Sequence, residues 1–280
     1  MEIKFIVDVD IISVKEYLKD KPVSRKLVTY IKKHGEIIVN NKKVKNYYIL
    51  RQNDELVLRY EEKINDEIIP NFTPVEILYE DECFLICNKP TNLPSHPSKK
   101  HFTDTLVNRI RGYFINTDQN CNVHLVTRLD AETSGLILCA KNGYYHYLIN
   151  EDIENVKRMY LAKAKGIITP SKGFIDKPIS RLPAPQILRI IDENGKPAKT
   201  LYRVVSYGDD YSIVTLRLFT GRTHQIRVHL QSIGHPIIGD KLYGNEDKLM
   251  YLHCHCLEFT HPLTNQRIKI VKLPHWYKEV

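Results

Sequence analysis

A short segment in the middle of the chain places an acidic residue where it could react. The sequence Arg-Leu-Asp at residues 128–130 stands shortly before Thr-Ser-Gly at residues 133–135, and the apolar run 136–140 follows. The apolar run predicts a buried strand, and a rigid strand would hold a carboxylate on the preceding turn in place. Asp130 could therefore act as a general base or as a nucleophile. A structural role also fits, because aspartate often caps such turns.

A second segment, residues 221–229, concentrates cationic and titratable side chains. It holds Arg222, His224, Arg227 and a second histidine within eight positions. Arginine at a junction between a strand and a helix is suited to contacts with phosphate or carboxylate groups. Apolar residues at helical spacing predict a helix over residues 223–233, with glycine directly after it.

Cysteine and histidine residues occur in two groups that could hold a metal ion. Cys83 and Cys87 share a predicted strand, and residues 253–256 alternate histidine with cysteine before His261. Alternation along a strand directs the two residue types to opposite faces. Neither group has the close Cys-x-x-Cys pair that is typical of zinc sites. We therefore expect buried thiols and no metal, with a zinc site as the open alternative.

Composition and charge exclude several classes of protein. Of the 280 residues, 42% are hydrophobic and 26% are charged, as in globular proteins and unlike disordered chains. No apolar run approaches the ~20 residues of a membrane span, and the acidic N-terminus does not resemble a signal peptide. Six cysteines without an export signal favour reduced thiols in the cytoplasm. The net charge of +8 favours a polyanionic partner.

Much of the positive charge lies near the N-terminus. Residues 15–51 include eleven basic residues and three acidic ones. Ser24 and Gly35 predict the two ends of a helix, and a hairpin with the turn Asn40-Asn41 follows it. Helical spacing places the basic residues of the helix opposite its apolar residues. The cations expected to bind a polyanion are Arg25, Lys26, Lys32, Lys33, Lys42 and Lys43, with a solvated lysine-rich surface as the alternative.

The rest of the chain predicts a second unit made mainly of short strands. Residues 61–74 are acidic and then rich in proline, which is typical of a linker. Strands are predicted at 77–79, 84–87, 136–140, 158–165, 200–207, 212–219 and 252–259, and helices at 104–114, 144–150 and 223–233. The expected fold class is α+β: a small basic module over residues 1–70, then a mixed, mostly antiparallel domain over residues 71–280.

Three segments occur in the order and approximate spacing of the RluA family of RNA pseudouridine synthases. They are residues 128–135, 158–162 and 221–229. Residues 77–90 resemble the opening of the catalytic domain in that family, and residues 239–262 resemble its end. The likeness covers roughly residues 72 to 277, and several independent motifs match, so the chain is identified as a member of this family.

The basic N-terminal stretch resembles the small αL-type RNA-binding module that accompanies many of these synthases. The module usually has glycine at two turn positions where this chain has Asn41 and Asn53. Because asparagine tolerates a left-handed backbone, we expect both turns to form. RNA affinity could be lower than in modules that keep the glycines.

The resemblance implies a reaction that converts uridine in RNA to pseudouridine without a cofactor or metal. Asp130 is then the catalytic carboxylate, either as a nucleophile at C1′ or as a base at C2′. The resemblance places Arg227 beside it, as the cation that keeps a desolvated carboxylate ionised. It also places Tyr160 against the target base and Arg128 in the gap left by a flipped-out uridine. The other expected substrate contacts in this domain are Thr133, Arg222 and His224.

The expected partner is RNA, with large-subunit ribosomal RNA favoured by the resemblance and transfer RNA as the alternative. We expect no membrane association and a monomer. A non-catalytic RNA-binding or ribosome-associated protein would need the basic face, but not Asp130, Tyr160 and Arg227 together. A glycoside hydrolase would need a second carboxylic acid, and Glu132 is expected to point away from Asp130.

Overall fold

The computed structural model describes residues 1–183, 186–244 and 249–277 of the chain. The N-terminal part contains β1 (Glu2–Ile6), β2 (Ile12–Ser13), α1 (Val14–Tyr17), α2 (Arg25–His34), β3 (Glu36–Val39), β4 (Lys42–Val44), β5 (Ile49–Leu50) and β6 (Glu55–Arg59). Four of the strands form an antiparallel sheet in the order β1-β6-β3-β4, and β2 pairs with β5.

The helix predicted between Ser24 and Gly35 is present as α2. The Ser24 hydroxyl accepts a hydrogen bond from the Leu27 amide at 3.2 Å, which caps the first turn. A Cβ atom at Gly35 would lie 2.4 Å from the carbonyl oxygen of Arg59, so glycine permits the close approach of β6. Ile31 is buried, whereas the six cations predicted on the helix and hairpin are all exposed. The predicted apolar and basic faces are therefore confirmed.

Two turns in this part adopt a left-handed backbone at asparagine. Asn40 and Asn41 connect β3 to β4 with φ angles of 45° and 64°, and Asn53 precedes β6 with a φ of 68°. The Asn40 side chain also accepts a hydrogen bond from the Glu55 amide at 2.9 Å, which ties the hairpin to β6. Asparagine thus supports the turns that glycine would otherwise form.

The larger sheet lies in the second part of the chain. Its elements are β7 (Glu76–Glu80), β8 (Phe84–Lys89), α3 (Leu106–Asn116), β9 (His124–Leu125), β10 (Ser134–Ala140), α4 (Gly143–Glu151), β11 (Lys157–Lys165), β12 (Lys172–Asp176), β13 (Ile179–Arg181), β14 (Arg189–Ile191), β15 (Lys199–Tyr207), β16 (Tyr211–Leu218), α5 (Gln225–Gln231), β17 (Leu252–Thr260) and β18 (Arg267–Val271). The strand order is β12-β15-β16-β11-β17-β10-β8-β7, with β18 beside β17 and β9 beside β10.

Among the described residues, neighbouring strands of this sheet pair antiparallel except β10 and β17, which run parallel. One hydrophobic core joins the sheet to α3, α4 and α5 through Phe114, Ile149 and Leu230, none more than 2% exposed. The mixed, mostly antiparallel α+β class is confirmed. Within the described ranges, every helix is too short or too polar to span a lipid bilayer.

The segment predicted as a linker lies against the second part of the chain. The Glu62 carboxylate accepts a hydrogen bond from the Gly143 amide at 2.8 Å, at the start of α4. The Asn122 side chain donates to the Lys63 carbonyl at 3.0 Å. Helix α4 also contributes Tyr144 to the hydrophobic core of the N-terminal part. The two parts are therefore connected by side-chain packing as well as by the chain itself.

Candidate active site

A cavity of about 400 Å³ opens where the turn before β10 faces β11 and the loop before α5. The residues lining it include Arg128, Asp130, Thr133, Tyr160, Arg222, His224 and Arg227. Three segments that are distant in sequence thus bring all seven of the residues predicted for the active site of this domain around one cavity. The six N-terminal cations do not line it.

The turn that carries Asp130 is held by backbone and side-chain hydrogen bonds. The Thr133 amide donates to the Asp130 carbonyl at 3.2 Å, which closes the turn. The Ser95 hydroxyl donates to the Leu129 carbonyl at 2.6 Å. The Asp130 side chain keeps 27% of its surface exposed. Its carboxylate can therefore meet a ligand in the cavity while its backbone stays fixed.

Buried Lys89 also stabilises the turn that carries Asp130. Its side chain is fully buried, and its ammonium group donates to the carbonyls of Pro90, Leu93 and Ala131 at 2.8–2.9 Å. Burial lowers the pKa of Lys89 to about 7, although the nearby Asp130 carboxylate opposes this shift. The bond to Ala131 connects the end of β8 to the residue directly after Asp130, and the other two hold the loop that follows β8.

Arg227 on α5 is the cation of the site. It is 1% exposed and forms a two-pronged ion pair with buried Asp240, with nitrogen–oxygen distances of 2.8 and 2.7 Å. Its remaining nitrogen, Nη1, lies 3.3 Å from the Asp130 carboxylate. Burial disfavours the charge, but Asp240, Asp130 and Glu132 outweigh it and raise the pKa of Arg227. The predicted pairing of Arg227 with Asp130 is present, and Asp240 holds the guanidinium in position for it.

Glu132 does not point away from Asp130, so that expectation was wrong. Its carboxylate accepts a hydrogen bond from Arg227 Nη1 at 3.1 Å, and the same nitrogen contacts Asp130. The two acidic residues stand two positions apart on the turn that the Thr133 amide closes, and both carboxylates reach one guanidinium nitrogen. The cavity therefore contains two carboxylates around a single buried cation.

His224 is also positioned beside Asp130. It has a left-handed backbone with a φ of 57°, and its Nε2 atom lies 3.9 Å from the Asp130 carboxylate. Its Nδ1 atom is 2.8 Å from the Tyr243 hydroxyl, which in turn accepts a hydrogen bond from the Arg189 amide at 2.7 Å. Burial lowers the pKa of His224, so the imidazole is mainly neutral near pH 7.

Tyr160 lies on β11 and is 5% exposed. Burial raises the pKa of its hydroxyl well above the ordinary value, so the phenol remains neutral. It pairs in register with Cys254 of β17. Gly135 has a φ of 115°, and a Cβ atom there would lie 2.4 Å from the Cys254 carbonyl oxygen. The glycine of the Thr-Ser-Gly segment therefore lets β10 approach the strand beside Tyr160.

The arginines at the edge of the cavity differ in how they are held. Arg128 is exposed, and within the described residues its side chain has no hydrogen-bond or ion-pair partner. The Arg222 side chain donates to the Pro197 carbonyl at 3.0 Å. Arg158 was not predicted as a site residue, although its segment carries the family resemblance. It lines the cavity, and its buried Nε has no partner among the described residues.

Two of the residues considered for a metal site lie close together. Potential ligand atoms of Cys83, His261 and Asp81 are within 4.8 Å of one another. His261 Nδ1 accepts hydrogen bonds from the Leu263 and Thr264 amides at 3.2 and 3.1 Å, so the proton sits on Nε2, 3.3 Å from Asp81. Burial raises the pKa of the Cys83 thiol to about 11. These atoms are therefore already used in hydrogen bonds, and the thiol is protonated.

Comparison with known proteins identifies the sequence relatives. A family model described as RNA pseudouridylate synthase matches residues 83–232. The uncharacterized RNA pseudouridine synthase YjbO of Bacillus subtilis is 38% identical over 264 residues, which cover 92% of this chain and 93% of the relative. Ribosomal large subunit pseudouridine synthase D of Pseudomonas aeruginosa is 32% identical over 256 residues, which cover 85% of this chain and 80% of that protein.

A solved structure shares the fold. The structure of human RNA pseudouridylate synthase domain containing 1 superposes with a TM-score of 0.62 at 26% sequence identity. The match covers 74% of this chain and 86% of the human chain.

Proposed function

Because the chain belongs to the RluA family of RNA pseudouridine synthases, we propose that it isomerises uridines of large-subunit ribosomal RNA, with Asp130 as the reacting carboxylate. The observation that carries this proposal is the position of the Asp130 side chain. It is partly exposed in the cavity and 3.3 Å from a buried guanidinium. A carboxylate that must stay ionised and still reach a ribose carbon needs both features.

Pseudouridine formation needs no redox partner and no energy source. The bond between uracil N1 and ribose C1′ breaks, the detached base turns, and C5 bonds to C1′. C5 then loses its hydrogen to solvent, while N1 gains one. The protein has to provide an ionised carboxylate beside the ribose and a pocket that retains the free base.

Asp130 is proposed to begin the reaction in one of two ways. As a nucleophile it would attack C1′, and as a base it would take the proton from C2′. Both routes require the ionised carboxylate, and Arg227 supplies the positive charge beside it. Because Arg227 is held by Asp240 at 2.7–2.8 Å, its position does not depend on the substrate.

The target uridine must leave its base stack to reach Asp130. Tyr160 lines the cavity with a neutral phenol, whose ring can stack on uracil and whose hydroxyl can approach C5. Arg128 is exposed at the edge and can occupy the vacated stack with its planar guanidinium. Thr133, Arg222 and His224 complete the proposed substrate contacts. Flipping a base costs a few kcal/mol, which contacts to phosphates can offset.

Replacing Lys89 with methionine should lower the rate of pseudouridine formation by roughly a hundredfold, because the turn carrying Asp130 loses its buried anchor. Three carbonyls would lose their donor, each at about 1–3 kcal/mol of folding stability. Single-turnover kinetics and thermal unfolding measure the two effects. Lys141→Met is the matched control, since Lys141 is also buried but pairs with Glu80 and makes no hydrogen bond to the turn that carries Asp130 among the described residues. Equal loss of turnover in both variants would contradict a positioning role for Lys89.

Ribosomal RNA is proposed as the substrate because a relative at 32% identity is named for the large ribosomal subunit. Because the proposed substrate is ribosomal RNA, we propose that the protein acts in the cytoplasm. We also propose that it acts as a monomer. Purified protein should form pseudouridine in an unmodified large-subunit transcript and not in a pool of unmodified transfer RNA transcripts. Mapping at nucleotide resolution measures both. Modification of transfer RNA alone would overturn the assignment of the substrate, but not the activity.

Residues 1–70 are proposed to form an αL-type module that binds the same RNA, followed by the catalytic domain over residues 71–280. Changing Arg25, Lys26, Lys32 and Lys33 together to glutamine should weaken RNA binding and reduce the salt slope by about 3–4. Lys42 and Lys43 lie on β4 and are also exposed, although Lys43 already pairs with Glu36 at 2.8 Å.

The control for this change exchanges arginine and lysine at the same four positions, which preserves the charge and should preserve the salt slope. Binding is measured over a series of salt concentrations. A glutamine variant with the slope of the wild type would show that the module does not bind RNA in this protein.

A further inference from the structure

One end of the large sheet carries aromatic rings and cations on its solvent side. Register places paired residues of β12, β15 and β16 on the same face. This outer face consists of three rows: Lys172, Arg203 and Thr215, then Phe174, Leu201 and Arg217, then Asp176, Lys199 and Phe219. Phe219 completes the last row because its amide donates to the Lys199 carbonyl at 3.1 Å.

The alternate residues of these strands form the core, so the outer face has to meet solvent or a partner. Ile175, Tyr202 and Leu216 point to the other side and are at most 6% exposed. Phe174 and Phe219 are 58% and 45% exposed. Neighbouring apolar rings with such large exposed fractions often mark a binding surface.

Cations lie directly over the two phenylalanine rings. The ring centroids of Phe174 and Phe219 are 6.1 Å apart. The Lys199 ammonium lies 5.0 Å from the Phe174 centroid, and the Arg217 guanidinium lies 4.9 Å from that of Phe219. Exposed rings bordered by cations are how proteins commonly hold unpaired nucleotides, whose bases stack on the rings while their phosphates meet the charges.

The charge of the outer face also favours an anion. It carries four cations and one acid, and the acid, Asp176, pairs with Lys199 at 3.0 Å. Lys172, Arg203 and Arg217 have no carboxylate within ion-pair distance among the described residues. Three uncompensated cations beside two exposed rings match a polyanion that also offers flat apolar groups.

The outer face continues to the edge of the proposed active site. Leu218 lines the cavity, and the next residue, Phe219, lies on the outer face. Gly221 and Arg222, which follow, line the cavity again. Because neighbouring strand residues point to opposite sides of a sheet, Leu218 faces the cavity and Phe219 the outer face. RNA that leaves the cavity past Arg222 therefore reaches Phe219 by passing around the end of β16, three residues back along the chain.

We propose that the outer face binds an unpaired RNA segment flanking the target uridine, with bases stacked on Phe174 and Phe219 and phosphates on Lys172, Arg203 and Arg217. This inference rests on the proposed function, because it concerns the same RNA. It assigns the flanking nucleotides a site on the catalytic domain that is separate from the N-terminal cations.

The double variant Phe174→Ala/Phe219→Ala tests the outer face. It should bind an RNA with a single-stranded flank at least about tenfold more weakly than the wild type, since each lost stacking contact weakens binding several-fold. The thermal unfolding temperature should not change, because both rings are exposed. The control is Leu263→Ala, which removes a 51% exposed apolar side chain from the β17–β18 turn and should leave the affinity unchanged.

Fluorescence anisotropy at fixed salt measures these affinities, and the charge variant Arg203→Glu/Arg217→Glu should weaken binding as well. Unchanged affinity in both double variants would overturn the proposal. Loss of wild-type self-association in the phenylalanine variant, with unchanged RNA affinity, would identify a contact between copies of the chain and also overturn it. If the wild type forms no pseudouridine in any RNA, the proposed function fails instead, whatever the binding results.

Discussion

Replacement of Asp130 with asparagine should lower pseudouridine formation by roughly four orders of magnitude or more, and RNA affinity should remain nearly unchanged. Asparagine has the same shape and can still accept the hydrogen bond that Arg227 donates at 3.3 Å. It has no negative charge, so it can neither attack C1′ nor take a proton from C2′ at a useful rate. Release of tritium from RNA labelled at uridine C5 measures turnover, and equilibrium binding is measured on the same RNA.

Glu132→Gln is the matched control for that variant. Glu132 contacts the same guanidinium nitrogen at 3.1 Å, so both substitutions remove one charge beside Arg227. We expect the glutamine variant to keep turnover within about tenfold of the wild type, since it loses one partly exposed ion pair. If Glu132→Gln were the inactive variant and Asp130→Asn the active one, the roles of the two carboxylates would have to be exchanged.

Arg227→Met should cost about 3–5 kcal/mol of folding stability and remove most of the activity. The substitution leaves Asp240 as a fully buried carboxylate without its cation, which is the costly way to break a buried ion pair. It also removes the positive charge next to Asp130. Chemical denaturation measures the free energy of unfolding, and the tritium assay is run at a temperature where the variant remains folded.

The double variant Arg227→Met/Asp240→Asn separates stability from chemistry. Asparagine removes the orphaned charge and can still accept the amide hydrogen bonds of Leu242 and Tyr243, which now lie at 3.0 and 3.2 Å from the Asp240 carboxylate. Much of the lost stability should return, while turnover stays low because Asp130 still lacks its cation. Recovery of turnover together with stability would show that Arg227 only supports the fold.

The fold was predictable where its signals are local. Ser24 marks the start of α2 with a side-chain cap, and Asn41 adopts the left-handed backbone that its turn requires. Strands such as β1 and β18 were not predicted, because they are stabilised by pairing rather than by their own pattern. Strand β1 pairs with β6 from the far end of the N-terminal part. Helix α5 begins later than predicted because His224 has a positive φ.

The candidate site was predictable only in part, for a related reason. The family resemblance implied the contact between Asp130 and Arg227, which lie 97 positions apart and are within 3.3 Å. Asp240 lies in the segment 239–262 that resembles the family, and its role appears once folding buries it against Arg227. Lys89 lies in the segment 77–90 that resembles the family, and of the three carbonyls that it binds, that of Ala131 is 42 positions away in the sequence. Such roles depend on tertiary neighbours, which a motif does not specify.

The most direct test of the central claim is to map pseudouridines in ribosomal RNA from three strains: one with the gene deleted, one complemented with the wild type and one with Asp130→Asn. We predict that at least one large-subunit site is lost on deletion, returns with the wild type and stays absent with the asparagine variant, although both proteins accumulate equally. Restoration of that site by Asp130→Asn would contradict the account.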